Sequence, residues 1–268
     1  MSIETTRATL LYRTNARIKT AVGYRTVLWQ KLNAGIGSAS DPSAREREAE
    51  INRLLSGYPR NHDYRIVRKR LIPSFRLYAR ARLVEQLYPQ PLESFLDIGC
   101  CRGFYVLDAA RRPTCKTSVG IDVHEPFTST AETVRQYLEV PNAAIHFASL
   151  QDVADDPARF GGPFQTVLLV GTYHYLFWGS GLCPTAYYSH REILQRIAHI
   201  CTDRCLFSAR LEIDRLPPDV RQIAESHPEK AQYTTDGFLQ SAGEFFNVSA
   251  HGFLGTYALF MLSRRSRS

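Results

Sequence analysis

Two acids and two glycines stand in this chain where they could hold a charged organic ligand. In Phe95-Leu96-Asp97-Ile98-Gly99-Cys100-Cys101-Arg102-Gly103-Phe104 an apolar run ends in an acid and enters a glycine-containing turn. Gly99 permits backbone angles closed to other residues and Gly103 permits close backbone approach. Such a turn can wrap around a ligand at the carboxyl end of a strand. In Val119-Gly120-Ile121-Asp122 a second acid closes a second apolar run, and a carboxylate there can accept both hydroxyls of a ribose. The competing reading of Asp122 is an N-cap for a helix that starts near Pro126.

The turn does not suit a dinucleotide. A pyrophosphate needs G-x-G-x-x-G at a helix N-terminus, and no glycines fall in that pattern here. Asp97 would be poorly placed against a pyrophosphate, but it suits a ligand with an ammonium at one end and a sulfonium at its sulfur. That favours S-adenosylmethionine. A third segment, Gly171-Thr172-Tyr173-His174-Tyr175, follows another apolar run and would lie over the transferable methyl group. His174 is the candidate general base there, since an imidazole can take a proton from an attacking hydroxyl or amine; a packed, structural histidine is the alternative. Residues 176–192 are rich in aromatics and turn formers and could cover an acceptor pocket. Trp178, Tyr187 and Tyr188 could stack on an acceptor or simply anchor a core. Glu212 and Asp214 could orient an acceptor or pair with Arg210 or Arg215.

These residues need a scaffold of short strands. Apolar runs at 94–99, 117–122, 143–148, 166–171 and 204–211 alternate with helical patterns at 103–111, 126–139 and 187–201, the texture of a parallel α/β sheet. Two helical segments, 217–226 and 234–243, then precede two strands, 245–251 and 256–264, around a glycine-containing turn. Before residue 91 the texture is helical. Leu11, Ile18, Val22 and Trp29 form one stripe, Asp41-Pro42 opens a helix to about Gly57, and His62 to Leu87 reads as a helix kinked or split at Pro73. The division is therefore a basic helical extension, 1–90, and an α/β domain, 91–268.

Charge follows that division. Residues 1–90 hold 17 Lys+Arg and 7 Asp+Glu, whereas the remainder holds 16 and 19, so the basic character belongs to the extension, which could attract phosphates or be only a solvated helix face. A charged share of 22% and an apolar share of 44% in 268 residues exclude a disordered chain. The six cysteines follow no framework spacing, and Cys201 and Cys205 have no second pair to complete a metal site. No run approaches 18 apolar residues, and the N-terminus lacks a secretory apolar region, so a cytoplasmic location is expected.

Through Asp97-Ile98-Gly99-Cys100-Cys101-Arg102-Gly103, Gly120-Ile121-Asp122-Val123-His124-Glu125 and residues 167–176, taken in order, the chain resembles the class I S-adenosylmethionine-dependent methyltransferases. The resemblance implies a Rossmann-like, seven-stranded sheet. It matches Asp97, Gly99 and Gly103 to the family's first motif, with Cys101 in place of the middle glycine. It puts Ser149 and Leu150 where the family often sets an acid against adenine, so that contact would come from backbone and Leu150. Gly171 would back the cofactor below His174. A narrower likeness, over about residues 93–215, is to enzymes that carboxymethylate the wobble uridine of tRNA, through Gly103-Phe104-Tyr105 and the glycine-aromatic-histidine turn. The expected activity is methyl transfer to an oxygen or nitrogen of a polar small molecule or glycoconjugate. The alternatives are a tRNA-modifying enzyme gripping phosphates with residues 1–90, and a non-catalytic cofactor-binding scaffold.

Overall fold

The computed structural model describes residues 23–26, 28, 42–57, 62–183 and 185–265. The helix expected over Leu11 to Trp29 lies outside them apart from a few residues. Contacts divide the chain into two units, Met1–Leu83 and Val84–Ser268, a division earlier in the sequence than the change of texture at residue 91.

The first unit is not purely helical. Helix α1 (Pro42–Leu55) buries Ile51 and Leu55. Strands β1 (Tyr64–Val67) and β2 (Arg70–Pro73) then form an antiparallel hairpin with Val67 opposite Arg70. Arg68 and Lys69, the two turn residues, both have positive φ, 51° and 54°, as a two-residue hairpin of this twist requires. The helical reading of residues 62–73 is thereby corrected. Tyr64 and Ile66 are buried while Arg65 between them is exposed, a period of two that the surrounding run of basic residues obscures. Asn52 on α1 also clasps the strand, its amide donating to Ile66 O and its oxygen accepting from Ile66 N, both at 2.8 Å. Helix α2 (Phe75–Glu85) begins after Pro73.

The second unit is built on a seven-stranded sheet, β3 (Ser94–Ile98), β4 (Thr117–Asp122), β5 (Ala143–Phe147), β6 (Phe164–Val170), β7 (Cys201–Ser208), β8 (Phe246–Leu254) and β9 (Tyr257–Arg264). Their order is β5-β4-β3-β6-β7-β9-β8; β5 to β7 run parallel and β9 is antiparallel to both its neighbours. β3, β4 and β6 are nearly continuous in apolar residues because helices cover both faces, and Leu96, Ile98, Val119, Ile121, Val167 and Leu169 lie in the core. The connecting helices are α3 (Phe104–Ala110), α4 (Glu125–Leu138), α5 (Leu150–Asp155), α6 (Tyr173–Trp178), α7 (His190–Ile200), α8 (Pro218–Ser226) and α9 (Thr235–Phe245). α7 presents Ile193, Leu194 and Ile197 to the core at the spacing of an amphipathic helix. α5 and α6, each six residues long, are the helices that the sequence pattern did not suggest.

α6 and α7 are tied together by a buried polar chain. Gln232 O accepts from His190 Nε2 at 3.0 Å, so Nδ1 is left to accept from the Tyr173 hydroxyl at 2.6 Å. Burial pushes His190 down to about 4, which keeps the ring neutral in this role. Replacing His190 with Ala strands the Tyr173 hydroxyl among apolar neighbours and should cost at least about 1–3 kcal/mol, read as a lower urea midpoint at neutral pH; an unchanged midpoint would show the chain to be energetically idle.

Candidate functional site

The carboxyl ends of β3, β4 and β6 carry the residues singled out above. Asp97 is opposite Gly120 of β4 and Leu168 of β6 in the ladder, and only 5% of it is exposed. Among the described residues no hydrogen bond or ion pair reaches its carboxylate. Burial first, and the neighbouring charge of Asp122 second, raise it to about 8. Asp122 is treated differently: Cys101 N–H donates to Oδ2 at 2.9 Å and His124 N–H to Oδ1 at 3.0 Å. Burial raises this carboxyl too, and those donors hold it back. The N-cap of α4 is His124, without a side-chain cap, so Asp122 does not serve there.

The turn between the acids is clipped to β4. Gly99 N–H and Cys100 N–H both donate to Ile121 O, at 2.8 and 2.9 Å. Gly99 has φ +76°, and a Cβ on it would fall 2.2 Å from Thr172 Oγ1; the absence of a side chain lets the turn after β6 close over the turn after β3. Cys101 has φ 51°, the left-handed backbone that a glycine takes without strain, so the thiol replaces a hydrogen while the path of the loop is kept. Gly103 is the N-cap of α3. Gly120, not singled out from the sequence, is as important: a Cβ there would lie 2.7 Å from Val106 Cγ2 and 2.8 Å from Cys100 Sγ. Its signal was a glycine inside an apolar strand, which marks a close backbone approach.

Ser149 and Leu150, just past the end of β5, are both engaged within the chain. Ser149 caps α5 in a reciprocal pair, its hydroxyl accepting from Asp152 N–H while the Asp152 carboxylate accepts from Ser149 N–H. Leu150 points into the core. The large apolar side chain left exposed at the end of β5 is Phe147, 64% accessible. Near Asp122, His124 packs on Phe127 with ring centroids 4.0 Å apart.

The turn after β6 carries Gly171 and leads into His174. Gly171 N–H donates to Ser208 O at 2.8 Å, and His174, in the first turn of α6, is fully buried. Its Nε2 lies 3.4 Å from an Nη of Arg210. A guanidinium only donates, so Nε2 is the acceptor and the ring proton resides on Nδ1, which has no partner among the described residues. Burial first, and the Arg210 charge second, push His174 down to about 3. In this arrangement the Nε2 lone pair faces Arg210 and Nδ1 carries the proton. Trp178 is an interior anchor packed on Phe177 and Tyr233, whereas Tyr187 and Tyr188 are half-buried, Tyr188 stacking on His227. Glu212 pairs with Arg215 at 2.8 Å. No group of three or more His, Cys, Asp or Glu that could hold a metal occurs among the described residues, and no described helix is long and apolar enough to cross a membrane.

An Asp97→Asn substitution tests the state of the buried acid. Its folded value of about 8 stands above an unfolded value of about 3.9, so the folded chain holds the extra proton and this group removes stability as pH rises from about 4 to 8. The Asn variant should therefore match the parent in urea near pH 4 and exceed it at pH 8 by on the order of 2–5 kcal/mol, at about 1.4 kcal/mol per unit. A variant less stable at pH 8 would refute a destabilised carboxylate.

The chain matches no family model, and no curated protein matches it in sequence. In three dimensions it is similar to EvdMO1, with a TM-score of 0.55 and 15% identity over 83% of this chain and 47% of that one. It is also similar to the bifunctional kinase-methyltransferase WbdD, with a TM-score of 0.54 and 15% identity over 80% of this chain and 46% of that one. The chain thus spans less than half the length of these neighbours. With the sheet order above, the likenesses identify the fold as that of the class I methyltransferases.

Proposed function

We propose that the chain is an S-adenosylmethionine-dependent methyltransferase acting on an oxygen or nitrogen of a polar small molecule or glycoconjugate. The observation that carries this reading is the pair of acids on adjacent strands, one gripped by two amide donors and the other buried without a counter-charge. Asp97, with the Gly99-to-Gly103 turn and Cys101 in it, would receive the methionine end. Asp122 would take the ribose hydroxyls, since each of its oxygens keeps a lone pair beside the amide bond it accepts. Main chain at Ser149 and Leu150 would border the adenine, and Gly171, with open space where a Cβ would stand, would back the reacting end. The cofactor supplies an electrophilic methyl group on its sulfonium.

The chemistry left to this chain is placement and charge. An arriving ammonium gives the Asp97 carboxylate the partner it lacks, so below pH 8 binding expels a proton from that acid. His174 sets the orientation of Arg210 rather than removing a proton from the acceptor, and rate enhancement is assigned to alignment of the acceptor with the methyl group, which alone can supply a large acceleration.

Calorimetric titration with S-adenosylmethionine at several pH values tests the reading. Affinity should climb as pH rises toward 8, by up to about tenfold per unit, and turn over above it as the free ligand's amino group loses its own proton. Asp122→Ala should weaken binding by about tenfold or more through loss of charged hydrogen bonds. Absence of binding at millimolar ligand would remove the assignment.

A further inference from the structure

We propose that Arg210 is the recognition point for an anionic group, a carboxylate or a phosphate oxygen, on the molecule that accepts the methyl group. The inference rests on the methyltransferase reading and adds the chemical class of its acceptor. Arg210 lies two residues beyond β7, and the Gly171-to-Ser208 bond joins that strand end to the turn after β6, so the guanidinium stands at the carboxyl edge of the sheet. His174, which faces the guanidinium at 3.4 Å, is two residues from Thr172, whose side chain closes on Gly99 of the turn after β3, so the cation stands beside that pair of turns.

The surroundings of this cation are unusual in being entirely neutral. Nε donates to the Tyr257 hydroxyl at 2.9 Å, one Nη faces His174 Nε2 at 3.4 Å, and the guanidinium lies over the Tyr257 ring at 5.3 Å. The Arg210 carbonyl accepts from the Tyr233 hydroxyl, which fixes the backbone from which the side chain springs. No carboxylate lies within ion-pair distance of it among the described residues. Glu212 is taken by Arg215, and Asp219, which reaches Tyr175 electrostatically, is itself exposed.

A half-buried guanidinium held by neutral partners is costly unless a negative charge joins it. Tyr257 and His174 occupy two of its five N–H groups, leaving three in a planar fork. That fork matches two oxygens of a carboxylate or a phosphate, and its orientation is set before the ligand arrives. The burial that keeps His174 neutral serves the same end, since an imidazolium at 3.4 Å would repel the cation it holds. An arginine whose task was only to join β9 to α6 would gain nothing from standing at the crevice without a counter-charge.

Titration of the full chain with inorganic phosphate, and separately with acetate, at constant ionic strength decides the matter, followed through the ¹⁵N resonances of the arginine side chains. Arg210 should show a saturable shift in the millimolar range with at least one anion. Arg210→Gln should bind that anion about tenfold or more weakly, as expected on losing a charged fork, while its affinity for S-adenosylhomocysteine stays near that of the parent. A response to phosphate alone points to a phosphate ester, and one to acetate alone points to a carboxylic acid. Tyr257→Phe, which keeps the cation but releases one of its holders, should weaken the anion several-fold and covers the case in which the glutamine variant does not fold. A flat Arg210 resonance with both anions, or equal binding by Arg210→Gln, overturns the proposal. Failure to bind S-adenosylhomocysteine, in the same samples, would instead strike the methyltransferase reading and leave the anion result to stand by itself.

Discussion

A largely buried carboxylate in the middle of a sheet, without a hydrogen-bond donor among the described residues and next to a second carboxylate, is the constraint around which the second unit is arranged. Asp97 sits where β3 leaves the core, with strands on both sides. The two acids are resolved in different ways. Backbone amides satisfy Asp122 within the folded chain, whereas Asp97 is left without a donor, in a state that favours its protonated form. The glycines follow from this. Gly99 admits Thr172 and Gly120 admits Cys100 and Val106, and together they let the backbone close tightly around the strand end that carries the acid.

Topology explains why that point falls at β3. From β3 the chain moves outward through β4 to β5, then returns to β6 on the opposite side of β3. The connections therefore diverge between β3 and β6, and a crevice opens at their carboxyl ends, as it does wherever strand order reverses in a parallel sheet. The contact between the Gly99 turn and Thr172 spans that divergence. Farther along the same edge, the antiparallel β9 supplies Tyr257, whose hydroxyl accepts from Arg210 Nε.

Much of this was legible in the residues, and the parts that were not have identifiable causes. The five parallel strands show as apolar runs because both of their faces are covered, and Asp97 and Asp122 are conspicuous as acids that end such runs. The β1–β2 hairpin was hidden because Arg65, Arg68, Lys69 and Arg70 mask the alternation of Tyr64 and Ile66. α5 and α6 are too short to display a helical period. Ser149 with Asp152 three residues on carries a capping pattern that marks the start of α5. His174 shows the deeper limit. Its residue type suggests proton transfer, but its state is set by burial and by Arg210, 36 positions later in the chain; neither the environment nor that neighbour can be read from a local motif.

The outer strands of the sheet bear on how the molecule coexists with others of its kind. A sheet that is not closed into a barrel has two rims, each able to recruit a strand from elsewhere and so begin aggregation. Here one rim is β5, five residues long, and the other is β8, whose register against β9 breaks between Ala250 and Phe253 around the positive-φ Gly252. A short rim and a bulged one both make poor templates. The irregularity in the last hairpin thus acts as a guard against polymerisation at the end of the sheet farthest from the buried acids.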